Sequence, residues 1–188
     1  MTPGEPITLT CAPITAVVRR STVDLRATAR AALHDLQVAI TGSASTVAST
    51  PEGRPYLPDR PDLGVSIAHD GDLVAAAVGV GVRVGIDVQV PTRAGAGMLR
   101  RCCPPATRVA LAALDDEHRD HELARIWAVQ EACVKAQGTG LAGRPWRIPV
   151  HIGQHDGRWH EHHWHSIDAG VGAPVSIAHG THRERDPR

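Results

Sequence analysis

The sequence predicts an α+β fold made of two similar halves, each a small antiparallel sheet packed on a long helix. Three observations carry that expectation. Two segments of helical period lie far apart, at residues 22–40 and 117–137. Strand-like runs follow each of them, with Asp70-Gly71 as a hairpin signal between two of the runs. The string VSIAH occurs at 65–69 and again at 175–179, closing an extended run in each half. The halves meet near residues 90–97, which divides the chain into 1–90, 91–180 and a flexible charged tail at 181–188.

Taken in order, residues 1–20 read as irregular, with a short strand at 14–18. Over 22–40, Leu25, Ala29, Ala32, Leu33 and Leu36 recur at helical spacing; Ser21 or Thr22 is the expected cap and Gly42 the expected stop. Residues 41–63 are rich in Ser, Thr, Pro and Gly and read as a loop with short extended pieces. Three strands are expected at 64–69, 73–78 and 82–90, then a connector at 91–97. Pro104 and Pro105 suit the first turn of a helix running through Leu114. The longer helix stops at Gly138, and extended segments return at 146–152, 158–167 and 174–179.

Composition excludes several classes. The 188 residues carry a formal net charge of zero, which argues against non-specific nucleic-acid binding. No run reaches the roughly 18 apolar residues of a membrane span, and the start has no secretory pattern. The four cysteines form no CxxC pair, so a reducing cytoplasm is the expected setting. Of twenty basic residues, nineteen are Arg and only Lys135 is Lys. In a chain that uses Arg so freely, a surviving Lys is a candidate for a position that needs a compact point charge and not a planar fork, with a chance surface Lys as the plain alternative.

The densest chemical signal is the pair RVGIDVQV, residues 83–90, and WAVQEACVKAQGTGL, residues 127–141. Asp87 sits in an apolar strand, where a carboxylate is costly without a cation or donor, and alternation puts Gln89 on its face. Glu131 and Lys135 are i,i+4 on the apolar part of a helix, beside Trp127 and Cys133. A surface ion pair is the plain alternative for these two.

GID followed by a strand, then W-x-x-x-E-x-x-x-K-x-x-G-x-G-L, resembles the signature of the surfactin-synthetase-activating (Sfp) type of 4′-phosphopantetheinyl transferase. The stretch 53–71, GRPYLPDRPDLGVSIAHDG, and the helix segment RAALHDL from Arg30 are similar to that family's upstream motifs, in the same order. The resemblance implies the pseudo-dimeric fold of that family. It implies an enzyme that moves the phosphopantetheine arm of coenzyme A to a serine of an acyl or peptidyl carrier protein, in fatty-acid, polyketide or nonribosomal peptide synthesis. It implies magnesium, or manganese, held by Asp87 and Glu131 with Gln89 beside it, since magnesium takes carboxylates, waters and phosphates. Lys135 would neutralise a phosphate, and Arg30, Arg54 and His69 would hold the 3′-phosphate and adenosine end. Glu131 is the preferred base for the serine proton, ahead of a metal-bound water and His69, although a neighbouring cation would lower its pKa. One chain would complete the site, so a monomer is expected.

The chain departs from the family's pattern at Gln89, where many relatives carry a second acid, at Gln130, where Lys is usual, and at Ala68, where a hydroxyl is lost. Gln89 and Gln130 support an alternative, a non-catalytic member that binds carrier protein or coenzyme A, against which stand Asp87, Glu131 and Lys135. A third reading is a metal site in HIGQHDGRWHEHHWH, residues 151–165. Strand alternation scatters its histidines, with His163 and His165 on one face and His160 and His162 on the other, so a solvated strand is preferred. The run 115–125 reads as a solvated helix start. Arg93, Arg100, Arg101 and Arg108 read either as solvated helix arginines or as a docking face for an acidic carrier.

Overall fold

The structure is a computed structural model and describes residues 6–93 and 95–181. Two four-stranded antiparallel sheets form its centre. The first joins β1 (Ile7–Cys11), β2 (Ile14–Arg20), β5 (Leu63–Asp70) and β6 (Leu73–Val80) in the order β1-β2-β6-β5. The second joins β7 (Val82–Val88), β8 (Asp156–Trp159), β9 (His162–Asp168) and β10 (Pro174–Thr181) in the order β7-β10-β9-β8. Helix α1 (Leu25–Thr41) covers the outer face of the first sheet and α4 (Asp116–Gln137) that of the second. Between them, β3 (Ala48–Ser49) and β4 (Pro55–Tyr56) form a two-strand ladder, and α2 (Ala96–Cys102) and α3 (Pro105–Ala112) lead into α4. The mixed α+β class is as expected.

Strand alternation sorts the core into three layers. Ile14, Ala16, Val18, Leu73, Ala75 and Ala77 meet Val84, Ile86, Val88, Val175 and Ile177 between the two sheets. The opposite faces of β2 and β6 give Val17, Ala76 and Val78 to Leu33 and Leu36 of α1. Val129, Ala132, Cys133 and Ala136 of α4 pack with Trp164 and Ala178 of the second sheet. With both faces covered, the inner strands read as nearly unbroken apolar runs, so 73–78 shows no polar alternation in the sequence.

Connectivity runs alike in the two sheets: a strand, a helix, then a hairpin whose last strand inserts beside the first. This gives β2-β6-β5 and β7-β10-β9 as neighbours. The VSIAH copies do not mark that likeness, because one lies in the edge strand β5 and the other in the inner strand β10. β7, which a division at residue 90 leaves with the first half, pairs with β10 of the second sheet.

Elsewhere the elements differ from expectation for local reasons. Asp24, not Ser21 or Thr22, caps α1 by accepting from the amides of Arg26 and Ala27, while Gly42 ends it in the left-handed conformation as expected. β1 was hidden in residues read as irregular. The expected strand at 146–152 is a 3₁₀ turn (Pro145–Arg147) and coil. The single extended segment at 158–167 is a hairpin, with His160 at its turn in the left-handed region, φ 53°. The run 115–125 is not wholly solvated: Arg125 is buried, paired with Glu122, and donates to the carbonyls of His151 and Gln154. The expected tail at 181–188 lies outside the described residues except for Thr181, which ends β10. Among the described residues, no helix is long and apolar enough to cross a membrane.

Candidate active site at the β7–α4 seam

β7 presents Val84, Ile86 and Val88 to the intersheet core, so Gly85 and Asp87 face α4. Gly85 sets the distance. A Cβ there would overlap the carbonyl of Ala132 and the amide of Ala136, so only glycine lets the helix backbone lie directly on the strand. That contact brings Lys135 across to Asp87. Lys135 Nζ donates to Asp87 Oδ1 at 2.6 Å and to the Ile86 carbonyl at 3.2 Å. The Asp87 side chain is 10% exposed and that of Lys135 29%. The lone lysine therefore spans from helix to strand, instead of pairing with Glu131 along the helix.

Burial pushes the Asp87 carboxyl above its ordinary range, even though the Lys135 ammonium pulls it back, and the Asp70 charge adds to the rise. Burial also raises Glu131, and the Asp87 charge raises it further. Among the described residues, no hydrogen bond or ion pair engages the Glu131 carboxylate. Nor do any three His, Cys, Asp or Glu side chains stand ready as a set of metal ligands.

Gln89 and Val90 follow Asp87 and meet the β5–β6 turn. Asp70 Oδ2 accepts from Gln89 Nε2 at 2.6 Å and from the Val90 amide at 2.7 Å. Asp70 was read only as half of a turn signal. Its second role has no local signature, since the strand it touches lies nineteen residues away.

At the other end of β7, a hollow of about 590 Å³ is lined by Arg54, Arg83, Ser49 and Tyr56. Arg54 lies over Gly138, where a Cβ would overlap its guanidinium, and Arg83 donates to the Gln137 carbonyl at 3.0 Å. Two guanidinium groups thus sit at the C-terminus of α4, the negative end of its dipole. Arg30 donates to Ser49 Oγ at 2.9 Å, on the rim of this hollow. His69 is exposed on β5 and outside the lining, next in sequence to Asp70. Arg83 was not singled out in the sequence; its place in an apolar strand was the available signal.

Gln130, where relatives usually have Lys, is fully buried. Its Nε2 donates to the carbonyls of Cys102 and Ile148, tying α2 to the loop after α4. Ser66 Oγ, in the SIAH string, accepts from the Ile86 amide and joins β5 to β7. Arg93, Arg100 and Arg101 are exposed, and Arg108 is half-buried. Arg93 and Arg108 line a second hollow of about 370 Å³ with Leu99 and Leu111, while Arg101 lies 4.0 Å over the Trp146 ring. In the histidine-rich hairpin, His162 is buried and His163 stacks on His179 at 5.7 Å.

The segment that builds this seam matches a known family. The model of the 4′-phosphopantetheinyl transferase superfamily matches residues 83–177, from the start of β7 into β10. The chain belongs to that superfamily. It is 32% identical over 95 residues to the 4′-phosphopantetheinyl transferase HetI of Nostoc sp.. It is 27% identical over 90 residues to a 4′-phosphopantetheinyl transferase of Bacillus subtilis. To the 4′-phosphopantetheinyl transferase Sfp of Bacillus subtilis strain 168 it is 28% identical over 90 residues. Each match takes in 48% of this chain and 40% of the relative's length.

Proposed function

We propose that the chain transfers the 4′-phosphopantetheine group of coenzyme A to a serine of an acyl or peptidyl carrier protein, releasing 3′,5′-adenosine bisphosphate. The observation that carries this reading is the Asp87–Lys135 contact at the β7–α4 seam, with Glu131 one helical turn before Lys135 and an arginine-lined hollow at the other end of β7. Asp87 and Glu131 are the pair of carboxylates that a hard divalent cation would use, with water and phosphate as its other ligands. Asp70, Asp87 and Glu131 are electrostatically linked carboxylates with one lysine among them, a surplus of two negative charges if all three are ionised. Oxygen donors of this kind suit magnesium or manganese. Held by Asp87 and Glu131, the metal would offset charge on the diphosphate during transfer.

The chain's own residues account for the rest. Arg54 suits a phosphate at the adenosine end, with Arg30 at the rim, since guanidinium groups recognise phosphate by paired donors. Tyr56, 45% exposed at the hollow, offers an aromatic face to a base. Lys135 supplies a point charge at the seam, and the distance from Arg83 to Asp87, about 13 Å for four strand residues, suits a nucleotide reaching from the hollow to the seam. In the transfer, the serine oxygen bonds to the phosphorus that carries pantetheine as the bond to adenosine bisphosphate breaks. Glu131 takes the serine proton. Burial and the Asp87 charge raise its pKa in the metal-free site, and a cation bound beside it would lower it. We place the activity in the cytoplasm and in a single chain, with the arginines of α2 and α3 facing an acidic carrier.

Incubating the purified chain with coenzyme A, magnesium and an apo carrier protein tests the reading. The carrier should gain the mass of one phosphopantetheine. A carrier that binds but gains no mass would leave a non-catalytic binder in its place.

A further inference from the structure

The strand that carries Asp87 has a neutral side chain two residues on, yet a carboxylate is present at that place from elsewhere. Asp70 belongs to the β5–β6 turn of the first sheet and gives one oxygen to both the Gln89 amide and the Val90 backbone. Two donors on one carboxylate oxygen hold it firmly. The turn is also packed in place: Gly71 has φ 56°, and a Cβ on it would come within 2.9 Å of Val90 Cγ2. Because the Gln89 nitrogen faces Asp70, its geminal oxygen Oε1 is turned to the other side of the amide. The Asp70 charge reaches Asp87 and contributes to its electrostatics.

We infer that Asp70 is a positioning residue for the metal site. From the β5–β6 turn it supplies the negative charge that Gln89 lacks, and it fixes the Gln89 amide with Oε1 free to face a divalent cation or a water bound to it. The inference rests on the metal-dependent reading above. It reverses a simple expectation for Gln89→Glu. Restoring an acid on β7 looks as if it should tighten metal binding, but here the new carboxylate would stand at hydrogen-bond distance from that of Asp70. Two like charges so placed disfavour each other's ionisation. The acid is therefore accepted on β7 only when Asp70 gives it up.

The test is Mn²⁺ binding to the full chain, followed by the electron paramagnetic resonance signal of free Mn²⁺, on wild type, Asp70→Asn, Gln89→Glu and the double variant. Asp70→Asn keeps the side-chain shape and should weaken Mn²⁺ by about 10–100-fold, the usual cost of losing a partner of a metal ligand. Gln89→Glu alone should give no tightening. The double variant exchanges the two groups, keeps an amide-to-carboxylate hydrogen bond, and should return affinity to the wild-type level or better. Unchanged melting temperatures would show that the losses are not unfolding. Asp70→Asn binding like wild type, or Gln89→Glu tightening by itself, would overturn the inference and leave the metal reading standing. A wild-type chain that binds no Mn²⁺ would remove both.

Discussion

Asp87 is a buried carboxylate and Glu131 a half-buried one, and their partners differ. Asp87 is tied to Lys135, while the Glu131 carboxylate has no hydrogen-bond partner among the described residues. Asp87→Ala should abolish transfer with the fold retained, because it removes a ligand and strands the lysine; full turnover at saturating magnesium would end the assignment. Glu131→Gln keeps shape and one oxygen but not the base, so kcat should fall by ~10²–10⁴ with coenzyme A still bound. The pH profile gives a second view. As a base Glu131 must be deprotonated, so wild-type kcat should rise with pH through its titration, and Glu131→Gln should lose that limb. The linked stability effect has a definite sign. A carboxyl raised on folding stabilises fully below its unfolded pKa and loses that contribution as pH rises through the raised value. A divalent cation should therefore lift the melting temperature more at about pH 7 than at about pH 5. Residue identity was legible where it broke a local rule. Asp87 stood in an apolar strand and Lys135 was the sole lysine, and both fell in the seam. Asp70 and Arg83 broke no rule strongly enough, since a turn aspartate and a strand-end arginine are ordinary until the partner surface is known.

Elements were legible where period and punctuation agreed. α4 and its Gly138 stop, β5, β6 and β7 all follow the expected runs within a few residues. What failed was punctuation without glycine. His160 makes the β8–β9 turn with φ 53°, a conformation for which the sequence offers no Gly or Asn, so two strands looked like one. α2 was obscured for the opposite reason, by the glycines at 95 and 97. At this scale the decisive contact is Gly85 against α4. Gly85→Ala should push the helix off the strand, cost about 1–3 kcal/mol by overpacking, and reduce transfer by moving Glu131 and Lys135 from Asp87. Gly97→Ala, in α2 with open space around it, is the control and should cost nothing. Equal effects of the two substitutions on melting and turnover would show that the β7–α4 spacing is not what glycine protects.

The whole molecule offers a face as well as a seam. Arg93 in the connector and Arg108 on α3 line a hollow with Leu99 and Leu111, and α2 adds the exposed Arg100 and Arg101. Charge reversal at Arg100 and Arg101 should raise KM for the carrier and spare that for coenzyme A. Equal rises for both substrates would place docking elsewhere. Arg101 also covers Trp146, so Arg100→Glu alone separates lost charge from lost packing.

The pairing of β7 has a consequence for the chain as a covalent object. β7 precedes the connector in sequence but belongs by hydrogen bonding to the sheet that follows it. A break placed in the connector, at residues 91–95, would leave one fragment bearing a strand with its proper neighbour missing, and the other a sheet with an open edge beside β10. Each fragment would carry an unpaired edge complementary to the other, and neither would hold the seam alone. Co-expressed, they should reassemble by strand complementation and recover transfer together, whereas a break between β6 and β7 should give a second fragment whose sheet is already closed.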